Sequence, residues 1–178
     1  SYDDVLPYFK KSQDQQRGGD EFHGAGGPLA VSDMRYESPL CDAFIDAAEE
    51  IGIPRTDDVN GAEQEGAGYF QLTSRNGFRC STAVGFLRPA EGRPNLDIET
   101  HAQVHRLLFD GRRTVGVAYA VKGTPRQARA DGEVILSAGA IGSPQILQLS
   151  GVGPGAALQG LGIDVVHDLA GVGENLQD

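Results

Sequence analysis

The chain has 178 residues, with 15 Lys and Arg against 25 Asp and Glu and a formal net charge of −10 at pH 7. This acidic balance argues against nucleic acid or an anionic membrane surface as a partner. No apolar run approaches the roughly 20 residues that a membrane-spanning helix needs, and no signal peptide is visible. We therefore expect a cytoplasmic protein, with peripheral membrane association as the alternative. Cys41 and Cys80 are isolated in the sequence, so no metal site or redox pair is predicted.

Apolar periodicity predicts two helices in the first half of the chain. The first covers about residues 4–16, with Leu6 and Phe9 facing inward. The second covers residues 39–51 and is clearer, because Ser38 can cap its start. Its expected core face contains the apolar residues at helical spacing, which are Leu40, Phe44, Ala47, Ala48 and Ile51.

Strand patterns dominate the middle of the chain. Short strands at residues 29–31 and 67–74 precede a turn at Asn76 and Gly77. A β-meander follows, and one of its hairpins turns at Asp110-Gly111. Its predicted strands are residues 96–99, 104–109, 115–121, 127–130 and 133–137.

The most informative stretch is residues 133–154. It predicts a buried apolar strand at residues 134–136, a turn of small residues, and a helix that begins on Ser143 and Pro144. Small side chains let another molecule approach the backbone closely. Such a unit can place backbone amides near a bound nucleotide, and an ordinary strand-to-helix crossover is the alternative. A helix at residues 156–161 and a strand at 163–166 are expected to follow.

Residues 139–153 resemble the second signature of the glucose–methanol–choline oxidoreductases, with Ser-Pro, two aliphatic residues and then Ser-Gly-aliphatic-Gly. Other segments resemble the family in the same order, namely residues 7–11, 23–29, 77–81, 86–89, 93–96, 162–166 and 171–178. The resemblance covers essentially the whole chain. It is nearest to the choline dehydrogenases and related bacterial alcohol dehydrogenases.

This resemblance implies an α/β fold of mixed α+β character. Residues 1–24 and 69–178 would form part of a FAD-binding Rossmann-like domain that includes a three-stranded β-meander. Residues 25–68 would form part of a substrate-binding domain. The implied cofactor of the full-length enzyme is FAD, and the implied partner is a small-molecule alcohol, choline or another primary alcohol.

The resemblance also implies which residues meet the cofactor. Val104 would contact the adenine of FAD through its main chain. A turn of small residues would lie against the phosphate or ribose region, and its members are Ser137, Ala138 and Gly139.

No catalytic residue is predicted in this chain. The four histidines have no metal spacing and no evident catalytic partner nearby in the sequence; they are His23, His101, His105 and His167. His23 matches a glycine-rich segment of the family and is expected to be structural. The sequence contains no match to the family's dinucleotide fingerprint in its strand-to-helix context, and none to its catalytic histidine.

We therefore expect an interior segment of a longer enzyme. Alone, it should neither retain FAD nor oxidise an alcohol, and its partner should be the remainder of the enzyme or a second copy. Two alternatives stay open: a hydroxynitrile lyase on the same scaffold, and a short non-catalytic homologue.

Overall fold

The computed structural model describes residues 1–177. The chain divides into two compact units, Ser1–Leu96 and Asp97–Asp178. Helices and strands occur in both units, which confirms the predicted α/β fold class. The functional division, with residues 25–68 in a substrate-binding domain, stays a prediction. The last residue of the chain, Asp178, lies outside the described residues.

The first unit contains two helices and four short strands. Strands β1 and β2 pair in parallel, and β3 and β4 form an antiparallel hairpin across the predicted turn. One π-helical turn (Ala83–Leu87) and one 3-10 turn (Arg88–Ala90) follow. The elements are α1 (Tyr2–Ser12), β1 (Gln13–Gln15), β2 (Leu29–Val31), α2 (Pro39–Glu50), β3 (Ser74–Arg75) and β4 (Phe78–Arg79).

The predicted bounds of one helix and one strand in this unit are wrong, and so is the predicted burial of Phe9. Helix α1 ends at Ser12, because Gln13 is already extended, with ψ 141°, and pairs with Leu29 on β2. Phe9 was expected inside but is 65% exposed. The predicted strand at 67–74 is reduced to isolated bridges before β3, because tertiary pairing overrides local β-propensity.

Helix α2 has the predicted bounds to within one residue, but it presents a different face to the core. Ile45 and Ala48 are its buried residues. Phe44 and the rest of the predicted face except Ala48 are exposed. The Tyr69 hydroxyl donates to the Asp42 carboxylate at 2.7 Å and holds the helix in this orientation.

The second unit is built on an antiparallel sheet of order β5-β6-β7, which confirms the predicted three-stranded meander. Gly111 lies in the first hairpin turn with φ 57°, and Lys122 and Gly123 form the second with φ 50° and 82°. Strands β8 and β9 pair in parallel. The elements are β5 (Ala102–Asp110), β6 (Arg113–Val121), β7 (Thr124–Arg129), α3 (Gly139–Leu149), β8 (Val152–Gly153), α4 (Gly155–Gly160) and β9 (His167–Asp168).

A buried hydroxyl joins α3 to the sheet. Ser150 is 8% exposed, and its Oγ accepts a hydrogen bond from the Leu107 amide at 2.8 Å and donates to the Ile146 carbonyl. Leu107 and Ile146 are themselves buried and belong, with Leu158, to the small core of this unit.

The predicted buried strand at residues 134–136 is wrong. These residues belong to no strand, and Ile135 is 84% exposed. A strand buried on both faces needs flanking strands, and within residues 1–177 none pairs with this segment. Residues 96–99 form no strand either. The strand expected at 163–166 lies instead at His167–Asp168, where it pairs with β8.

Candidate functional site

The small-residue turn leads directly into α3, which begins four residues earlier than predicted. Gly139 is the first helical residue and has φ 87°. Ser143 is therefore not the N-cap but lies inside the helix, where its Oγ accepts a hydrogen bond from the Ala138 amide at 2.9 Å. Ser143 still accepts a hydrogen bond from a backbone amide at this turn, but it does so from inside the helix rather than from the N-cap position.

The turn leaves room for a ligand against its backbone. Ser137, Ala138 and Gly139 are all exposed. A Cβ placed on Gly139 would meet no atom within 4 Å. The amides of the first helical turn have no partner inside the helix, and a helix start carries partial positive charge. The residues present therefore fit an anionic group such as the phosphates of a dinucleotide.

An open groove of about 770 Å³ lies between α3 and residues 171–177. The Gln148 amide donates to the Val172 carbonyl at 2.9 Å and fixes one side of the groove. Gly173 permits this approach, since it has φ 87° and a Cβ there would lie 2.7 Å from Gln148 Nε2. Ala140 and Ile141, next to the turn, also line the groove.

Val104 lies half-buried in β5 and is opposite Tyr119 of β6. The register shifts between Val104 and Arg106, which places a β-bulge beside the predicted adenine contact. Within residues 1–177, strand β5 lies at the edge of this sheet, so some of its main-chain groups face away from the sheet. The Leu107 amide is one of these, because it bonds to Ser150 rather than to β6.

The structure joins β5, which carries Val104, to α3, which begins at Gly139. The hydrogen bond between Ser150 and β5 is at the end of α3, about 16 Å along the helix from Gly139. No hydrogen bond joins Val104 to Ser137, Ala138 or Gly139 among the described residues.

His23 has two carboxylate neighbours that the sequence reasoning missed. The imidazole is 4% exposed; its Nδ1 lies 2.9 Å from Asp20 Oδ1 and its Nε2 lies 3.3 Å from Asp58 Oδ2. Burial acts to raise the pKa of Asp20, but hydrogen bonds from the His23 amide, the Phe22 amide and the His23 ring outweigh it and lower that pKa overall. Both ring nitrogens thus face carboxylates of this chain, which favours a structural role for the imidazole. Asp20 is only three residues away, so its spacing was a usable signal.

A second polar network in the first unit joins residues of its loops. Asp33 accepts from Arg17 Nε at 2.9 Å and from Gln71 Nε2 at 2.7 Å. The hydrogen bond from Arg17, and next the one from Gln71, lowers the pKa of Asp33, and the same ion pair raises the pKa of Arg17.

Tyr69, which bonds to helix α2, has a perturbed pKa for a different reason. Burial, followed by the hydrogen bond to Asp42, raises the pKa of Tyr69 to about 12.

The remaining histidines form no catalytic cluster. His167 Nδ1 lies 3.0 Å from the Arg112 guanidinium, which occupies that ring nitrogen. His101 and His105 are exposed. Residues 1–177 contain no group of three or more side chains arranged to hold a metal ion.

Residues 1–178 match the family model described as GMC oxidoreductase. The chain belongs to the GMC oxidoreductase family. Two similar members are the oxygen-dependent choline dehydrogenases of Pectobacterium carotovorum, 52% identical over 180 residues, and Pseudomonas putida, 51% identical over 182 residues. Each match covers 100% of this chain and 32% of the relative. The predicted likeness to choline dehydrogenases is confirmed, and the chain spans about a third of the length of these relatives.

Solved structures of oxidoreductases share the fold of this GMC chain. Pyridoxine 4-oxidase from Mesorbium loti superimposes with a TM-score of 0.92 at 35% identity, over 100% of this chain and 35% of that one. A FAD-dependent oxidoreductase from Chaetomium thermophilum gives a TM-score of 0.91 at 32% identity, over 100% and 33%. No helix within residues 1–177 has the length and apolar character required to cross a bilayer.

Proposed function

We propose that this chain is the middle part of a longer FAD-dependent oxidoreductase that acts on the CH–OH group of a primary alcohol, with choline as the first candidate substrate. The observation that carries the proposal is the 52% identity to an oxygen-dependent choline dehydrogenase across the whole chain. The exposed turn at the start of α3 and the groove beside it support a role in cofactor binding.

The chain's own part in this function is to bind and orient the cofactor. The main chain of Val104 would hold the adenine, and Ser137, Ala138 and Gly139 would lie against the phosphate or ribose region. When bound, FAD accepts the hydride that leaves the alcohol carbon. The amides at the start of α3 would stabilise negative charge on the cofactor, and the small side chains would keep the backbone accessible.

The base that takes the hydroxyl proton would come from outside this chain. His23 is buried between two carboxylates, and His167 is occupied by Arg112. A substrate-binding role for residues 25–68 belongs to the same proposal. The net charge of −10 favours, weakly, the approach of a cationic substrate such as a quaternary ammonium alcohol.

The complete gene product provides the test. Its flavin-to-protein ratio is measured after desalting, and aldehyde formation is measured with choline and with a panel of uncharged primary alcohols, in air and with an artificial electron acceptor. Bound flavin with choline turnover supports the proposal. Cyanide release from hydroxynitriles without alcohol oxidation would instead assign a lyase, and a protein with neither flavin nor turnover would be a non-catalytic homologue.

A further inference from the structure

Two Asn-Gly pairs occur in the first unit, and the structure places them in opposite electrostatic surroundings. Asn60-Gly61 lies in the loop that follows α2, and Asn76-Gly77 forms the turn between β3 and β4. Both asparagines are exposed. Because glycine has no side chain to shield its amide nitrogen, that nitrogen can approach the side-chain amide of the asparagine before it.

The hairpin turn leaves its glycine nitrogen free and places a cation beside it. Asn76 has φ 53° and Gly77 has φ 84°, which is the left-handed backbone of a two-residue hairpin turn. Within residues 1–177 the Gly77 amide donates to no backbone carbonyl. A Cβ on Gly77 would lie 3.3 Å from Arg35 Nη1. None of the ion pairs in the same part of the chain includes Arg35, so its positive charge is available at this amide.

The loop pair has a carboxylate in the corresponding place. A Cβ on Gly61 would lie 3.4 Å from Asp58 Oδ2, and Asp58 Oδ1 accepts a hydrogen bond from the Asn60 amide at 2.9 Å. The Gly61 amide itself donates to the Asp58 carbonyl at 3.4 Å. His23 Nε2 lies 3.3 Å from Asp58 Oδ2 and offsets its charge only when the imidazole is protonated. The Gly61 nitrogen is therefore engaged and faces negative charge.

We propose that Asn76 is a site of spontaneous deamidation and that Arg35 accelerates the reaction. The Gly77 nitrogen gives its proton to hydroxide and attacks Asn76 Cγ. The new C–N bond closes a succinimide ring, the Cγ–Nδ2 bond breaks, and ammonia leaves with a proton taken from water. Water then opens the ring at either carbonyl, which yields aspartate or isoaspartate without oxidation or reduction. Arg35 stabilises the negative charge that develops during the attack.

The isoaspartate product does not fit the hairpin. It adds a methylene group to the main chain between residues 76 and 77. The present turn joins Arg75 to Phe78, which pair directly, and loop length sets the turn type and register of a hairpin. The new carboxylate also adds negative charge to a chain whose formal net charge is already −10. Deamidation therefore weakens the pairing of β3 with β4 and makes the protein more acidic.

Incubation of the complete gene product in alkaline buffer tests the proposal. Samples are digested at acidic pH, where this reaction is slow, and each Asn-Gly peptide is quantified by mass spectrometry. Methylation by a protein isoaspartate methyltransferase identifies the isoaspartate product. Asn60 is the comparison within the same digest. A unit charge about 4 Å away changes the rate by about fivefold in a water-like dielectric, so Asn76 should deamidate about tenfold faster than Asn60, or more.

Two variants isolate the part played by the cation. Arg35→Gln should slow deamidation of Asn76 by about fivefold, whereas Arg35→Lys keeps the charge and should retain most of the rate. The unmodified protein is also compared at low salt and at about 1 M salt, because a screening length of about 3 Å weakens the effect of Arg35 without any substitution.

Equal rates at the two asparagines, or a faster rate at Asn60, would overturn the proposal. A rate at Asn76 that neither Arg35→Gln nor salt lowers would overturn the role of Arg35. These measurements require neither bound flavin nor turnover, so they stand apart from the proposed oxidoreductase function.

Discussion

Replacing Gly139 with Val should remove the cofactor from the complete enzyme while leaving it folded. Gly139 has φ 87°, and a Cβ there would meet no atom within 4 Å. The cost is therefore conformational rather than a clash within the chain, about 1–3 kcal/mol for a branched side chain in the left-handed region. The added isopropyl group would occupy the space in which we place the cofactor.

Gly162 provides a matched control. It has φ 73° and also has no atom within 4 Å of a Cβ, so Gly162→Val should carry a similar conformational cost. It follows α4 rather than the candidate cofactor turn. Both variants should therefore lose stability, whereas only Gly139→Val should lose flavin.

Flavin-to-protein ratio and thermal midpoint, measured on both variants of the complete enzyme, separate the two effects. Full flavin occupancy in a folded Gly139→Val enzyme would refute the contact between this turn and the cofactor. Equal flavin loss in both variants would show that lost stability, rather than lost contact, empties the site.

The isolated chain, purified after desalting, should show no flavin absorption band, and with added FAD it should not oxidise choline. Ser150→Ala should lower the free energy of unfolding of the complete enzyme by about 1–3 kcal/mol, because it leaves the buried Leu107 amide without its acceptor. Asp33→Asn should make the free energy of unfolding fall less steeply as the pH is lowered. Arg17 and Gln71 lower the pKa of Asp33 below its ordinary 3.8, so its contribution is present above that pH and is lost as the pH falls through the lower folded value.

Each of these three predictions has a control or a result that would contradict it. Near-unit flavin in the isolated chain, or turnover abolished by changing one histidine to Ala, would contradict the first expectation. Ser143→Ala compares with Ser150→Ala, because it also removes an amide acceptor but at the exposed Ala138, and it should cost less. Chemical denaturation between about pH 2 and pH 6 checks Asp33; parallel profiles for the variant and the unmodified protein would contradict the role of its ion pair.

Local sequence determined the elements whose signals are self-contained. The β-meander followed from strand periodicity and turn residues, and α2 followed from apolar spacing after Ser38. The family followed from the signature at residues 139–153, whose order of residue types is long enough to be specific. These features depend on residues that are near one another in sequence, so they can be predicted without knowing the tertiary contacts.

Tertiary structure decided which faces are buried and where helices begin. The pattern of α2 marks Phe44 as apolar but cannot tell that Tyr69 and Ile45 orient the helix with Phe44 in solvent. Residues 134–136 have strand composition but remain unpaired, because burial of a strand depends on partners distant in sequence. The same reason explains His23: the sequence shows Asp20 nearby, but only the folded chain brings Asp58 to the other side of the ring.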